Sequence, residues 1–197
     1  AHAVGSTANS YFVYQQVYDQ NGLPIEGQFV DRNADGIVNE KDKYLYKSPH
    51  APWTAGFTSK VVWKNWDFSF ALRANFDNYV FNDLEAGASN MATLWAESGY
   101  LTNRPKNVIE KNWKTYDAIL SDYFVQNASF LKMDNITLGY SFDQLFGTKI
   151  SGRVYATASN VFTITDYKGI DPEVSYGIDN SLYPRPFTAL LGVSLNF

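Results

Sequence analysis

The densest grouping of oxygen-bearing side chains runs from Asp31 to Asp42, where Asp31, Asn33, Asp35, Gly36, Ile37, Val38, Asn39 and Asp42 spell D-x-N-x-D-G-x-V-N-x-x-D. Calcium takes hard oxygens from alternate loop positions, with a glycine at the sharp turn, a backbone carbonyl just after it and a carboxylate to close the shell. Asp31, Asn33 and Asp35 supply the alternate oxygens, Gly36 the turn, Ile37 the carbonyl and Asp42 the closing carboxylate. Asp42 stands where the closing residue is usually glutamate, so its reach is shorter, which favours weaker binding or magnesium. The expected metal ligands are therefore Asp31, Asn33, Asp35, Ile37 and Asp42, holding a structural divalent cation, calcium first and magnesium second. An Asx-rich turn without metal is the plainer alternative.

No other grouping reads as chemistry. There is no G-x-S-x-G, no H-E-x-x-H and no phosphate-binding glycine loop, and His2 and His50 lack local serine or cysteine partners. Asp171 and Glu173 sit in a proline-fixed turn, Gly169 to Glu173, rather than in a recognisable acid–base pair. No catalytic residue is assigned, and the chain is expected not to be an enzyme. Rings that could stack on sugars or peptides are Tyr11, Phe12, Tyr14, Tyr18, Trp95, Tyr100, Tyr167, Tyr176 and Tyr183. For any single ring, packing the loops together is the plainer role.

The elements that position these groups follow from alternation. Trp66, Phe68, Phe70, Leu72, Ala74 and Phe76 share one parity, opposite Asp67, Ser69, Ala71, Arg73 and Asn75, which makes 66–76 a strand with one apolar, ring-rich face. Trp53 to Trp63 is another, and Lys64-Asn65 joins the two in a tight turn flanked by Trp63 and Trp66. Phe130 to Phe142 and, more weakly, Ile150 to Val161 repeat the pattern, and Phe187 to Phe197 closes the chain on an aromatic residue. Strands this long exceed the five or so residues of soluble sheets and suit a tilted membrane strand of about nine to eleven. The connections run short, long, short, long, as in an outer-membrane barrel with brief periplasmic turns and large outer loops. Met91 to Ser98 and Asn107 to Tyr116 are expected to form short helices in the longest loop, with Trp95 and Trp113 as packing anchors.

Composition agrees. Of 197 residues, 17% are aromatic and only 18% charged, below the usual charge of about 25% for soluble domains. The formal net charge of −4 without a basic run argues against nucleic acid, and the absence of cysteine excludes disulfides and thiolate metal sites. A mean hydropathy of −0.28 and no long apolar run exclude membrane helices but not barrel strands, whose alternation hides them from hydropathy windows. Ala1-His2-Ala3 offers neither an initiator methionine nor an apolar signal segment, so the chain reads as a processed piece or a fragment. The expected fold is all-β: about five C-terminal strands of a large antiparallel transmembrane barrel. Residues 1–51 form an extracellular loop segment carrying the metal-type loop at 31–42, and residues 52–197 hold the strands and further extracellular loops.

Several ordered motifs carry a family resemblance. Asp31-Arg32-Asn33-Ala34-Asp35-Gly36 with Asp42, Ser48-Pro49-His50-Ala51-Pro52, Lys64-Asn65-Trp66-Asp67-Phe68-Ser69, the run from Ala128 to Tyr140, Ala158 to Phe162 leading to Tyr167 to Val174, and Tyr183-Pro184-Arg185-Pro186 together resemble the C-terminal part of SusC/RagA-like TonB-dependent outer-membrane transporters. The resemblance covers nearly all of the chain from about Gln28 onward. It implies a plugged 22-stranded barrel in the outer membrane, of which these would be strands 18 to 22. It further implies extracellular loops, a periplasmic C-terminus that the assembly machinery reads, and a SusD-like lipoprotein lid. Import of glycan oligosaccharides or peptides would be driven through TonB by the N-terminal part outside this chain. The competing class is a soluble β-rich carbohydrate-binding or adhesion module with a structural calcium. It accounts for the rings and the metal-type loop but not for long faces devoid of charge.

Overall fold

In the computed structural model the placed residues are 1–88, 90–92, 94–95, 99–114, 120–144, 147, 149–174, 176–180 and 183–197. In chain order the elements are β1 (Phe12–Val13), β2 (Gln16–Tyr18), β3 (Pro24–Phe29), β4 (Tyr44–Leu45), β5 (Trp53–Trp63), β6 (Trp66–Phe76), β7 (Tyr79–Phe81), α1 (Asp83–Ala88), α2 (Asn107–Lys111), β8 (Val125–Asn127), β9 (Phe130–Phe142), β10 (Ser151–Thr165) and β11 (Thr188–Asn196). They divide into two units, one of residues 52–77, 129–166 and 184–197, the other of residues 1–51, 78–128 and 167–183.

The first unit is an antiparallel sheet of five strands in the order β11-β10-β9-β6-β5. Its register follows the alternation: Trp63 faces Trp66, Phe70 faces Ile136, and Ala156 faces both Leu138 and Leu191, so the apolar residues fall on a single face. Lys64 takes the left-handed conformation that the two-residue turn needs, with φ +54, and Asn65 exchanges hydrogen bonds with the Ser141 backbone. Eleven residues, the length of β5 and of β6, rise about 34 Å along a strand and about 26 Å across a bilayer at a tilt of about 40°. Rings mark both limits of this span. At one, Trp66 lies 4.9 Å from Tyr140 beside Trp63, and at the other Trp53 pairs with Phe76. Between them Phe70 makes ring contact with both Phe57 and Phe68.

The opposite face is polar and internally paired. Arg153 on β10 reaches across β9 to grip Asp67 on β6 with two bonds, Nε to Oδ1 at 2.8 Å and Nη2 to Oδ2 at 2.6 Å. Arg73 clasps Asp134 in the same two-bond way, at 2.5 and 3.0 Å. Asp134 is the extra residue where the β6–β9 register shifts, so the bulge aims its carboxylate. Two glycines make room for this layer: a Cβ on Gly139 would overlap the Arg153–Asp67 bridge, and one on Gly192 would overlap the Tyr155 ring. Tyr155 is register partner to both glycines and lies flat across β11. Gly192→Val should therefore cost about 1–3 kcal/mol by forcing that ring off the strand. Urea unfolding in lipid vesicles tests it: a Tyr155→Ala background should absorb most of the cost, and an undiminished cost there would refute the notch.

The sequence expectations for β5, β6 and β9 match to the residue. β10 runs on to Thr165, past the expected Val161, because a second register shift between Ser159 and Phe162 lets pairing resume after Asn160, at φ +51. The expected final strand frays to Thr188–Asn196.

The second unit is built of two-stranded ladders, β1 with β4, β2 with β3 and β7 with β8. They surround a core of Tyr11, Val13, Phe81, Ala86, Trp113, Phe124 and Val125. None of these short strands was legible as alternation, since strands of two or three residues show no period, and the six of β3 (Pro24-Ile25-Glu26-Gly27-Gln28-Phe29) do not alternate apolar with polar. The expected helix at Asn107 begins as α2 and stops at Lys111, because Asn112 turns left-handed at φ 52 and returns its N–H to Val108; Thr115 and Tyr116 lie outside the described residues. The expected helix over 91–98 is not formed at the described positions 91, 92, 94 and 95; Trp95 instead bridges Leu101 as an extended pair. Thr93 and Ala96 to Ser98 lie outside the described residues.

Candidate functional site

In the loop from Asp31 to Asp42 the side chains of Asp31, Asn33, Asp35, Asn39 and Asp42 first organise the backbone. Asp31 Oδ2 accepts the Gly36 N–H at 2.8 Å, Asn33 Oδ1 that of Asp35 at 3.0 Å, and Asp35 Oδ1 that of Ile37 at 2.9 Å. Gly36 sits at φ 83 and Ala34 at φ 58, so the chain turns sharply here. Asp42 closes the loop: Oδ1 accepts from Arg32 and Asn33, and Oδ2 from Asn39 in a capping box. The Ile37 carbonyl accepts from Asn39 Nδ2 at 3.0 Å.

The sequence-predicted ligands thus share one loop, though Asn33 and Asp35 also bond each other, Nδ2 to Oδ2 at 3.0 Å. Among the described residues no three His, Asp or Glu side chains converge as a metal cage. One oxygen is left over. Asp31 Oδ1 is buried without a hydrogen-bond donor, and the Asp31 side chain lies within hydrogen-bonding reach of Asp42. Two neighbouring carboxylates with an unshared buried oxygen present a concentration of negative charge that a cation would relieve.

The hydrogen bond from Asn39, then those from Arg32 and Asn33 and the Asp31 contact, hold the Asp42 carboxyl below the usual carboxylate range, against the opposing effect of burial. A carboxyl depressed in the folded state stabilises the loop above its unfolded pKa and loses that contribution as pH falls through the folded value. The loop should therefore keep this full contribution above about pH 4 and lose it progressively as the pH drops further toward the depressed folded value. Amide exchange at Arg32, Asn33 and Asn39 measures this: protection should fall with acid, and Asp42→Asn should loosen the same amides already at neutral pH. Unchanged protection in that variant would refute the closing role of Asp42.

The rings divide by burial. Tyr11 and Tyr167 are buried and belong to the core, so these two take the plainer packing role and are not stacking surfaces. Tyr11 donates its hydroxyl toward the carbonyls of Tyr79 and Gly177, and Tyr167 donates to Asp179 Oδ2 at 2.9 Å. Burial pushes both phenols up, which keeps them neutral donors. Tyr14 stacks on Phe29 at 4.8 Å. Phe12, Tyr18, Trp95, Tyr100, Tyr176 and Tyr183 remain exposed. An open cavity of about 570 Å³ is lined by Phe12, Tyr176, Asp83 and Asn180, an apolar ring surface beside groups able to hydrogen-bond a hydroxyl or an amide.

Sequence reading missed a buried polar cluster. Glu85 on α1 and Lys111 on α2 pair at 2.6 Å with side chains only 8% and 2% exposed. Asn107 donates to the same carboxylate oxygen, Gln126 to the other at 2.6 Å, and Asn82 caps the backbone of Glu85. Lys111 lies among the rings of Trp113, Tyr123 and Phe124. Burial draws the Lys111 ammonium below the usual lysine range, against the raising effect of Glu85, and pushes the Tyr123 phenol up to about 12. The spacing of Asn107 and Lys111, one helical turn apart, was the only local signal. Glu85 comes from a distant segment.

No protein-family model matches the chain. The chain is 50% identical to the TonB-dependent receptor SusC of Bacteroides thetaiotaomicron, an alignment that takes in all of this chain and 20% of that protein. It is 25% identical to the TonB-dependent receptor P3 of Formosa agariphila, over 86% of this chain and 19% of that one. The chain therefore spans about a fifth of the length of these curated relatives. In fold it resembles a chain in the structure of the RagAB peptide importer, with TM-scores of 0.67 in the closed-closed state and 0.68 in the open-open state. Each match covers 95% of this chain and 22–23% of the other, at 23–24% identity. These relatives are receptors and importers rather than enzymes.

Proposed function

We propose, for a chain that is SusC/RagA-like along its whole length, that it supplies the C-terminal barrel strands and surface loops of a TonB-dependent outer-membrane transporter. The observation that carries this reading is the apolar face of the five-stranded sheet, ring-bearing, free of charge across about 26 Å and bordered by aromatic rows. In water such a face would be an aggregation surface; in a bilayer it is the outer wall, and the paired Arg153–Asp67 and Arg73–Asp134 layer faces the lumen. The open edges of β11 and β5 would be closed by strands outside this chain, since an unpaired strand edge is not tolerated in lipid. A plug and the segment that TonB engages would also lie outside it.

The two-residue turn and Asn196, the last residue of β11, which pairs with Ser151, stand at one end of the sheet. That end is the periplasmic one in this reading, which puts the long connections outside the cell. There they would meet a SusD-like lipoprotein lid and a glycan or peptide cargo, with the cavity beside Phe12 and Tyr176 as the contact surface this chain would offer. The loop from Asp31 to Asp42 would hold a divalent cation, calcium or magnesium, through Asp31, Asn33, Asp35, Ile37 and Asp42; the unshared Asp31 Oδ1 supports it. Calcium titration of the purified protein should raise the melting temperature of the loop-bearing unit, and Asp31→Ala should abolish the rise. A rise that survives Asp31→Ala would place the cation elsewhere.

The transporter reading is tested by heat-modifiable migration of the detergent-extracted complex with mass spectrometry of every chain present. A large plug-bearing barrel and a lipoprotein that separate only on boiling are expected. A chain that runs alone and soluble without detergent would instead favour a soluble carbohydrate-binding or adhesion module.

A further inference from the structure

The Glu85–Lys111–Asn107 cluster holds an amine, a carboxamide and a shared carboxylate in a nearly dry setting. Lys111 Nζ and Asn107 Nδ2 both bond Glu85 Oε1. Two nitrogens on one oxygen stand within about 5 Å of each other, and Asn107 and Lys111 are i and i+4 on α2, where side chains share a face. The Lys111 side chain is 2% exposed, and its Nζ lies 4.5 Å from the Tyr123 ring centre, 5.4 Å from that of Phe124 and 5.5 Å from that of Trp113. Asn107 Oδ1 is buried with no donor. A half-turn of the carboxamide would place Oδ1 against Glu85 Oε1, and a proton passed from Lys111 to Oε1 would then bridge the two oxygens, supply the missing donor and leave Nζ neutral.

We propose that Lys111 and Asn107 join in an intramolecular amide, with Glu85 as the proton carrier. Lys111 gives one proton to Glu85 Oε1, and the neutral Nζ attacks Asn107 Cγ, which Glu85 polarises by donating to Oδ1. The tetrahedral adduct expels Nδ2 as ammonia: Glu85 hands it one proton, then takes the second proton from Nζ, which the departing ammonia carries away as ammonium. One C–N bond forms and one breaks, the ammonium charge leaves with ammonia, and no oxidant or outside reagent takes part. Low exposure favours each step, since it depresses the lysine and excludes competing water. The product is a covalent staple across a single helical turn, in a unit whose described α-helices, five and six residues long, are too short to persist on their own.

Peptide mapping of the full-length protein purified from its membrane decides the matter. Trypsin does not cut after an acylated lysine, so residues 107–114 should appear as one peptide, lighter by about 17 Da for the lost ammonia. That mass loss should vanish in Glu85→Gln and Lys111→Arg, with the protein's heat-modifiable migration retained as the check on folding. A wild-type peptide cut after Lys111 at its unmodified mass overturns the proposal without recourse to any variant. The same loss persisting in Lys111→Arg also overturns it, because ring closure of Asn107 on its own backbone would then be the source.

Discussion

Phe70→Arg is expected to cost about 2–4 kcal/mol in lipid, and Ser69→Arg, one residue away, about 1 kcal/mol or less. The contrast comes from strand geometry alone, because adjacent residues on β6 point to opposite faces. Phe70 lies between the aromatic rows, in ring contact with Phe57 and Phe68, and pairs with Ser59 and Ile136. A guanidinium there meets acyl chains at mid-depth, too far from either boundary to reach water without distortion. Ser69 pairs with Lys60 and Thr137 on the polar face, where an added arginine finds hydroxyls and solvent. Denaturant unfolding in vesicles of defined lipid measures both, and equal costs would contradict the assignment of faces.

Phe124→Ala should be the most damaging single truncation in the loop-bearing unit, at about 3–5 kcal/mol. Phe124 is 0% exposed. Its ring sits edge-on to Phe81 at 6.2 Å, Trp113 at 5.8 Å and Tyr123 at 5.1 Å, so its removal leaves a cavity walled by other rings. The loss reaches further than packing. Trp113 is fixed by its Nε1 bond to the Pro24 carbonyl at 2.9 Å, and Lys111 lies over the same rings, so the wall cannot collapse into the space cheaply. The variant should show early proteolysis within the loop-bearing unit while the barrel strands remain folded. Unchanged protease resistance would refute the central place given to Phe124.

The two units differ in how far their residues announce them. β5, β6 and β9 were legible because each buries or exposes whole faces over eleven or more residues, long enough for period two to stand out. β10 was legible only up to its bulge, since a register shift interrupts the period that carries the signal. In the loop-bearing unit the ladders of two to six residues carry no period, and pairings such as Phe12 with Leu45 depend on contacts far apart in sequence. The loop from Asp31 to Asp42 was recognisable from composition and spacing, yet its side chains first satisfy the turn's own amides, which spacing alone does not reveal. Tyr11 and Tyr167 could not be told from stacking rings because nothing local marks a tyrosine whose hydroxyl will find a buried acceptor. Glu85 with Lys111 went unseen for the same reason: an ion pair is buried by tertiary packing, and its members sit on two short helices.

In the proposed barrel wall one face of β6 would touch lipid and the other an aqueous lumen. These 197 residues contain no cysteine, so single spin labels can be placed at positions 67 to 72 of the full-length protein in vesicles, provided any cysteines elsewhere are first removed. Collision with oxygen, which concentrates in the bilayer, should be high at 68, 70 and 72 and low at 67, 69 and 71, while a water-soluble nickel complex should show the reverse. Equal access of the nickel complex to both parities would mean a sheet wetted on both sides, and the barrel wall would have to be abandoned.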